Sequence, residues 1–290
     1  MADAITAKLV RRFGAGAAEW TAALPALVAE CARRWRLEVG EPFDSGASSV
    51  AIRATVGGRA AVLKLSPDAP FLAAQAGMLR LFEPSGRMPV LLAEAPGALL
   101  LEAVRPGTEV ADLRRQPAPE EYAALLLDLH AVEPPDGVVD DVRLRTEQFL
   151  RHGISRLGEP ALTASGLRRD DFERALDGLD DLFAPPWPSA LLHGDLHLGN
   201  VLDGGSRGLV AIDPKVCVGD RCWDAVDYVL AGAGGSDGIE YRLRALSTAA
   251  RIDVDRLHTW CRLVAAATAV PVLLRGGSGR AVDELLALAR

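Results

Sequence analysis

One stretch in the C-terminal half of the chain decides the fold: HGDLHLGN, residues His193 to Asn200. It places a carboxylate, Asp195, five residues before the amide of Asn200, in a loop that also contains two glycines. A second carboxylate, Asp213, stands thirteen residues after Asn200. It directly follows Leu209 to Ile212, a short apolar run that predicts a buried strand. The three polar side chains are therefore expected to meet at the ends of adjacent hairpin arms.

This spacing fits a phosphoryl-transfer loop, H-x-D-x-x-x-x-N, followed by an acidic metal ligand on a strand. In that template the first Asp receives the proton of the acceptor hydroxyl, and the Asn and the second Asp bind Mg²⁺. Two oxygen ligands suit Mg²⁺ because it keeps coordination sites for phosphate and water. The sequence thus predicts Asp195 as the catalytic base and Asn200 and Asp213 as metal ligands. A polar turn without function would explain the loop alone, but it does not explain Asp213 as well.

A charged residue stands inside an apolar strand of the N-terminal half. Lys64 is flanked by Leu63 and Leu65, and strand alternation points its side chain away from theirs. The strand follows the Gly57-Gly58 pair, which indicates a hairpin. An edge lysine would explain Lys64 in isolation, but its place behind a Gly- and Ser-containing loop favours a phosphate-binding lysine. The loop residues expected to lie over the phosphates are Ser45, Gly46, Ser48 and Ser49.

Periodicity divides the chain into two parts. Residues 1–103 predict two helices followed by a β-rich region that carries one further helix. Residues 104–290 predict mainly helices, with short strands around the loop that contains Asp195. The predicted fold class is therefore α+β, with a small β-rich N-terminal lobe and a larger, mainly helical C-terminal lobe.

With these motifs in view, the chain resembles the aminoglycoside phosphotransferase superfamily, specifically its streptomycin 6-kinase and hydroxyurea phosphotransferase branch. The resemblance implies a protein-kinase-like two-lobe fold, ATP and Mg²⁺ as cofactors, and transfer of the γ-phosphate to a hydroxyl of a small acceptor. It also implies that the backbone from Glu102 to Val104 is the hinge that binds adenine. The similar segments cover most of the length: 24–28, 34–35, 45–50, 61–65, 98–102, 193–202, 211–214, 219–220 and 223–224.

One position departs from the family pattern. An acidic residue of the first N-lobe helix normally pairs with the phosphate-binding lysine, and Gln75 stands at that place. An amide can hydrogen-bond to Lys64 but cannot neutralise its charge. A catalytically silent nucleotide-binding pseudokinase therefore stays open as an alternative, although the presence of Asp195, Asn200 and Asp213 argues against it.

Acidic residues of the C-terminal helices suggest the acceptor. Asp227, with Asp237, Glu240 and Asp255, is expected near the rim of the acceptor pocket, where carboxylates suit amino or guanidino groups. A solvated helix face explains each of these residues equally well. The first candidate acceptor is an aminoglycoside such as streptomycin, whose phosphorylation would give antibiotic resistance. Hydroxyurea or another small hydroxylated metabolite is the alternative.

Three further polar residues lie close to the catalytic motifs. Asp220 and Asp224 are predicted to brace the catalytic loop rather than to bind substrate. His197, inside the loop, is predicted to be structural and to hold loop carbonyl groups.

Composition narrows the class of partner. Among 290 residues, 39 are acidic and 32 are basic, which gives a net charge of −7. This balance argues against a nucleic-acid partner, which usually requires a basic face. No uncharged apolar run of about 18 residues is present, and the N-terminus mixes charges into its apolar residues, so neither a membrane helix nor a signal peptide is expected. The sequence predicts a cytoplasmic enzyme that acts on a small-molecule acceptor and has no nucleic-acid or membrane partner. It leaves the oligomeric state open.

Overall fold

The computed structural model describes residues 2–43, 48–136, 141–184 and 187–290. Contacts within the chain divide it into two units, Met1–Gly107 and Thr108–Arg290. The first unit contains an antiparallel sheet of five strands, and the second is mainly helical with two short strand pairs. The α+β class predicted from the sequence is confirmed.

A tight hairpin organises the sheet of the first unit. Gly57 and Gly58 both have positive φ, 54° and 75°, which is the backbone that a two-residue type I′ turn requires and that glycine adopts without a steric penalty. The strands run in the antiparallel order β1-β2-β3-β5-β4. Their bounds are Leu37–Pro42 (β1), Val50–Val56 (β2), Arg59–Leu65 (β3), Leu91–Ala95 (β4) and Ala98–Glu102 (β5).

Helices cover both faces of this sheet, because its central strands are apolar on both sides. On one face Leu63 of β3 shares an apolar cluster with Leu9 and other residues of the first two helices. On the opposite face Leu99 of β5 packs against Leu72 and Ala76 of the third helix. The helices are Ala2–Phe13 (α1), Ala17–Trp35 (α2) and Ala69–Phe82 (α3).

The second unit surrounds two short strand pairs with helices. The strand β6 pairs with β9 and β7 pairs with β8, both antiparallel. The strands are Ser189–Leu192 (β6), Val201–Asp203 (β7), Leu209–Ala211 (β8) and Cys217–Asp220 (β9). The helices are Pro119–His130 (α4), Val142–Arg156 (α5), Pro160–Thr163 (α6), Arg169–Phe183 (α7), Cys222–Leu230 (α8), Gly238–Ala250 (α9), Val254–Leu274 (α10) and Arg280–Leu288 (α11).

The helix α10 lies at the centre of the second unit. It packs against α5, α7, α8, α9 and α11, and its residues Trp260 and Cys261 have no exposed surface. By length and composition alone this helix could cross a membrane, which the sequence analysis did not anticipate. However, 56% of its most apolar window is buried inside the unit, which is typical of a core helix.

Candidate active site

The predicted catalytic loop lies between two short strands. β6 leads into it, and a 3₁₀ turn over Leu198–Asn200 ends it where β7 begins. The register of β7 and β8 pairs Val201 with Ala211, and the Asn200 carbonyl accepts a hydrogen bond from the Ile212 N–H at 2.9 Å. The hairpin therefore brings Asn200 beside the turn that carries Asp213.

Asp213 adopts a backbone conformation that is rare for residues with a Cβ atom. Its φ is 57°, in the left-handed region. Hydrogen bonds hold the turn on both sides, from the Ile212 N–H to the Asn200 carbonyl and from the Lys215 N–H to the His193 carbonyl at 2.8 Å. Such conformations concentrate at functional sites, where the surrounding structure imposes them.

Two donors hold the carboxylate of Asp195 from one side. The Asn200 Nδ2 atom donates to the Asp195 carbonyl at 2.8 Å and to its Oδ2 at 3.3 Å. The Nζ atom of Lys215 lies 2.7 Å from the same Oδ2. No described residue donates to Oδ1, and 28% of the side chain is exposed. A hydroxyl group can therefore reach Oδ1 while Oδ2 stays in place.

Asn200 and Asp213 offer oxygen atoms that suit Mg²⁺. With its Nδ2 committed to Asp195, Asn200 has Oδ1 to offer, and Asp213 adds a carboxylate. Within the described parts of the chain, no three His, Cys, Asp or Glu side chains form a group that could hold a metal. Mg²⁺ does not need such a group, because one or two protein ligands, waters and substrate phosphates complete its shell. The residues present fit this ion.

His193 joins the loop to the end of β8. Its side chain is fully buried, and Nε2 lies 2.9 Å from the Ile212 carbonyl oxygen, which can only accept. Nε2 therefore carries the proton, and Nδ1 accepts the Asp195 N–H at 3.3 Å. Burial lowers the pKa of His193, against the opposing charges of Asp224 and Asp195. The ring is a neutral structural link with both nitrogens occupied.

Glycine is required at position 194. Gly194 has a φ of 81°, and a Cβ atom there would lie 2.1 Å from the Lys215 carbonyl oxygen. The loop carbonyls are held from outside the motif: Trp223 Nε1 donates to the Gly194 oxygen at 3.3 Å, and the Tyr122 hydroxyl donates to the Leu196 oxygen at 2.8 Å. No local sequence pattern connects these two aromatic residues to the loop, so their roles could not be predicted from the sequence.

Asp224 braces the loop, as predicted. Its Oδ2 accepts the His193 N–H at 2.8 Å and its Oδ1 accepts the Gly194 N–H at 2.9 Å. His130 Nε2, which the sequence analysis also missed, lies 3.0 Å from Oδ2. Burial opposes ionisation of this carboxyl, but the hydrogen bonds from His130 and from the Gly194 N–H hold its pKa below the usual range. Both oxygen atoms of the buried carboxylate therefore have hydrogen-bond partners.

We expect Asp224→Asn to lower the free energy of unfolding by about 1–3 kcal/mol. The amide NH₂ would face a backbone N–H or His130, so at least one buried group would lose its partner. Urea denaturation at neutral pH measures the change. The exposed Asp181 of α7 provides the control, because Asp181→Asn should change stability by less than about 0.5 kcal/mol. Equal stability of the two variants would contradict the assignment of Asp224 as the brace.

Asp220 and His197 have other roles than those predicted. Asp220 Oδ2 accepts the Trp260 Nε1–H at 2.6 Å and pairs with Arg256, so this carboxylate joins β9 to α10 and does not contact the loop. The side chain of His197 is exposed and hydrogen-bonds to no described residue. Only its backbone carbonyl stabilises the loop, by accepting the Asn200 N–H at 2.8 Å.

Asp227 lies on α8, one turn after Asp224. It is half-buried, and no described residue hydrogen-bonds to its carboxylate. Burial raises the pKa of Asp227 to about 6; the charge of His197 lowers it, and those of Asp195 and Asp224 raise it. Asp224, one turn earlier on the same helix, binds the backbone of the loop that carries Asp195, so Asp227 lies on the helix next to that loop. A half-buried carboxylate without a protein partner, beside the reacting group, is suited to bind a cation.

The other acidic candidates are less informative. Glu240 is exposed and pairs with Arg244 four residues later on α9, which is the pattern of a solvated helix face. Asp237 is also largely exposed and lies 3.9 Å from Arg242. Asp255 is exposed in the first turn of α10.

Lys64 belongs to the first unit and is only 4% exposed. It pairs with Leu99 across β3 and β5, and paired residues lie on the same face of a sheet. That face is the one against which α3 packs, through Leu99 and Ala76. Gln75, next to Ala76, is buried as well. Lys64 and Gln75 thus lie on the same side of the sheet.

The predicted phosphate loop is described only in part. Ser45 and Gly46 lie outside the described residues. The Ser48 carbonyl accepts the Ser66 hydroxyl at 2.8 Å, and Ser49 is buried. The end of the loop is therefore attached to the residue that follows β3, two positions after Lys64.

The predicted adenine hinge follows β5. The Glu102 N–H donates to the Val90 carbonyl at 2.8 Å, and Glu102 Oε2 accepts the Val90 N–H at 3.1 Å. The Val104 N–H hydrogen-bonds to no described residue. The Glu102 amide is therefore committed to the sheet, whereas the Val104 amide can serve a ligand.

Comparisons with known proteins identify the family of the chain. Residues 34–276 match the family model described as aminoglycoside/hydroxyurea antibiotic resistance kinase. The chain is 30% identical over 261 residues to a hydroxyurea phosphotransferase of Kitasatospora aureofaciens, covering 87% of this chain and 74% of that protein. It is also 30% identical over 240 residues to a streptomycin 6-kinase of Streptomyces glaucescens, covering 78% and 74%.

A solved structure supports the fold. A spectinomycin phosphotransferase in complex with ADP and spectinomycin superposes with a TM-score of 0.62, covering 91% of this chain and 97% of the other at 12% identity. The protein-kinase-like fold and the phosphotransferase class that the sequence resemblance implied are confirmed. The chain belongs to the family of aminoglycoside/hydroxyurea antibiotic resistance kinases.

Proposed function

We propose that this chain transfers the γ-phosphate of ATP to a hydroxyl group of a small cationic acceptor, an aminoglycoside such as streptomycin, in the cytoplasm. Two observations support the transfer, namely the hydrogen-bonded Asp195 and the Asn200–Asp213 pair beside it. One observation carries the choice of a cation: the half-buried carboxylate of Asp227 has no partner among the described residues and interacts with the charge of Asp195. The streptomycin 6-kinase relative is consistent with this choice.

Different residues of the chain have different roles in the proposed transfer. Asp195 Oδ1 orients the acceptor hydroxyl and receives its proton, while Oδ2 stays hydrogen-bonded. Asn200 Oδ1 and Asp213 would hold Mg²⁺, and Lys64 would contact the phosphates of the nucleotide. When bound, Mg²⁺·ATP supplies the phosphoryl group and the metal charge that offsets the phosphates. Glu102, through its carbonyl, and Val104, through its N–H, would hydrogen-bond to adenine, and Ser48 and Ser49 would contribute to binding the phosphates.

An acceptor panel tests the proposal. The purified chain is incubated with Mg²⁺·ATP and with streptomycin, spectinomycin or hydroxyurea, and ADP release and the mass gain of the acceptor are measured together. We expect streptomycin to gain one phosphoryl group, with ADP released in equal amount. A reaction without acceptor, and one with Asp195→Asn, control for hydrolysis by water and for contaminating kinases.

Two other outcomes define the alternatives. Turnover of hydroxyurea without turnover of any cationic acceptor would replace the aminoglycoside by a small neutral acceptor and would leave the kinase reaction intact. The match to a hydroxyurea phosphotransferase favours this second candidate. Binding of Mg²⁺·ATP without turnover of any acceptor would favour the pseudokinase, for which Gln75 beside Lys64 is the motivating observation.

We expect Asp227→Asn to raise the KM for streptomycin about tenfold or more, because a desolvated charge pair would lose one partner. The KM for a neutral acceptor should change little. The same reasoning predicts that the KM of the wild type for streptomycin falls as the pH rises through about 6, where Asp227 ionises. It also predicts a higher KM at high salt, because salt screens charges. If the KM for streptomycin depends neither on pH nor on the substitution, Asp227 does not belong to the acceptor site.

A stability measurement separates this effect from misfolding. The pKa of Asp227 is about 6 in the folded chain, above its ordinary value of 3.8. The native state therefore binds this proton more tightly, and its contribution to stability is lost as the pH rises through 6. Asp227→Asn removes that penalty, so we expect it to be more stable than the wild type at pH 8, by up to about 3 kcal/mol. Weaker streptomycin binding by a more stable protein cannot come from unfolding.

A further inference from the structure

Lys215 lies two residues after Asp213 and extends its side chain back to the catalytic loop. Its Nζ atom is 2.7 Å from Asp195 Oδ2, and 62% of its side chain is exposed. The contact leaves Asp195 Oδ1 open, since the Asn200 amide also donates to Oδ2. An exposed ammonium group therefore stands at the side of the carboxylate that does not receive the acceptor hydroxyl.

The backbone of Lys215 is held more firmly than its exposure suggests. Its N–H donates to the His193 carbonyl at 2.8 Å, and its own carbonyl accepts the guanidinium of Arg145, which also donates to the Val216 carbonyl at 2.9 Å. Gly194 packs directly on the Lys215 carbonyl. The backbone of Lys215 is therefore fixed to the loop, and only its flexible side chain can move.

A stabilising surface ion pair does not account for this arrangement. Ion pairs with one largely exposed partner contribute little to stability. In addition, the chain uses lysine in only three of its 32 basic positions, Lys8, Lys64 and Lys215. Lysine differs from arginine in having a compact point charge with three donors on a flexible stem. Such a group can keep one hydrogen bond to Asp195 and offer the others to a second anion.

Charge balance identifies that second anion. The His193 ring hydrogen-bonds to the Asp195 N–H and to the carbonyl of Ile212, the residue before Asp213, so two carboxylates belong to this site, and a transferring phosphoryl group would add further negative charge beside Asp195. Mg²⁺ at Asp213 offsets only part of this charge. Arg145, the nearby guanidinium, is engaged with backbone carbonyls. An ammonium group beside Asp195 would offset the repulsion between the base and the phosphoryl group.

We propose that Lys215 binds the phosphoryl group during its transfer, bridging it to Asp195; this inference rests on the kinase reaction proposed above. In the transfer, the bond from the acceptor oxygen to the γ-phosphorus forms and the bond from that phosphorus to the β,γ-bridging oxygen breaks. ADP leaves with the electron pair, and the hydroxyl proton goes to Asp195 Oδ1. Lys215 keeps its proton throughout. It contacts a phosphoryl oxygen and holds Oδ2.

Binding of a phosphoryl mimic, which needs no acceptor, is the main test of the proposal, and kcat is measured with any acceptor that the panel shows to be phosphorylated. Calorimetry measures the Kd of Mg²⁺·ADP alone and with aluminium fluoride, which imitates the phosphoryl group in transit. For Lys215→Met we expect an unchanged Kd of Mg²⁺·ADP and an affinity for the aluminium fluoride complex that is about 10- to 100-fold weaker, with a similar loss in kcat. Lys215→Arg, which keeps the charge, should recover part of both losses. Arg244→Met, which breaks an exposed ion pair on α9, should change neither.

The outcomes separate this inference from the proposed acceptor. A Lys215→Met variant that binds the aluminium fluoride complex as the wild type does would overturn it, even if streptomycin is a substrate. Equal weakening of Mg²⁺·ADP would also overturn it, since a structural role predicts that result. If no acceptor of the panel is phosphorylated but the mimic still depends on Lys215, the aminoglycoside proposal fails and the role of Lys215 stands. A wild type that binds no nucleotide would end both proposals.

Discussion

Asp195→Ala is expected to reduce phosphoryl transfer by about 10²–10⁴-fold, the usual contribution of a positioned general base, while the Kd of Mg²⁺·ATP changes by less than about threefold. The reason lies in the geometry. Oδ1 is open to the acceptor hydroxyl, and the groups assigned to the nucleotide, Lys64, Asn200 and Asp213, keep their positions. Single-turnover transfer to the acceptor and equilibrium binding of the nucleotide are the two measurements.

Asp195→Asn is the matched variant. It keeps the size of the side chain but cannot take a proton, so its transfer rate should fall almost as far as that of the alanine variant. Because its amide NH₂ can face either Asn200 or Lys215, its thermal unfolding also shows how much the loop depends on the carboxylate. Near-wild-type turnover by either variant would remove Asp195 from the mechanism.

Asp213→Asn is expected to lower kcat by about 10²–10³-fold, comparable to the loss of one preorganised electrostatic contact, and to abolish most of the benefit that Mg²⁺ gives to nucleotide binding. The substitution keeps an oxygen atom but removes the charge that opposes the metal. Asparagine also tolerates the left-handed φ of 57° at this position, so the turn should survive. Calorimetry of ADP with and without Mg²⁺ measures the effect.

Asp203 provides the control for this experiment. It ends β7 in the same hairpin, and its carboxylate accepts the Gly205 N–H at 2.8 Å. Asp203→Asn should therefore leave the Mg²⁺ dependence unchanged. An unchanged dependence in Asp213→Asn as well would count against Asp213 as a metal ligand. A lower thermal midpoint in Asp213→Asn alone would instead indicate that the carboxylate maintains the turn.

Local patterns predicted most of the elements. The Gly57-Gly58 turn between two β-rich runs is a signal contained in a few residues, and both glycines have the positive φ that it implies. The helices Pro119–His130 and Gly238–Ala250 lie in the region 104–290 that the sequence predicts to be mainly helical. In each case the helical periodicity is complete within the segment.

Elements that depend on distant partners, or that are very short, leave no pattern in the sequence. The strand β9 has no alternating pattern of its own and contains Gly219; it forms by pairing with β6, which precedes it by about 25 residues. The short helix α6 is only one turn and carries no periodic signal. The boundary after residue 103 between the predicted lobes stays a prediction, as do the roles of the individual site residues.

The sequence by itself predicted the candidate reacting groups, because the spacing of Asp195, Asn200 and Asp213 reflects one loop and one hairpin whose geometry is local. Only the tertiary structure decided which distant residues hold that loop in place. The Tyr122 hydroxyl reaches Leu196 across 74 positions and His130 reaches Asp224 across 94, and such contacts leave no periodic trace in a sequence. The same holds for the half-buried state of Asp227, because burial is a property of the packed helices and not of the residue.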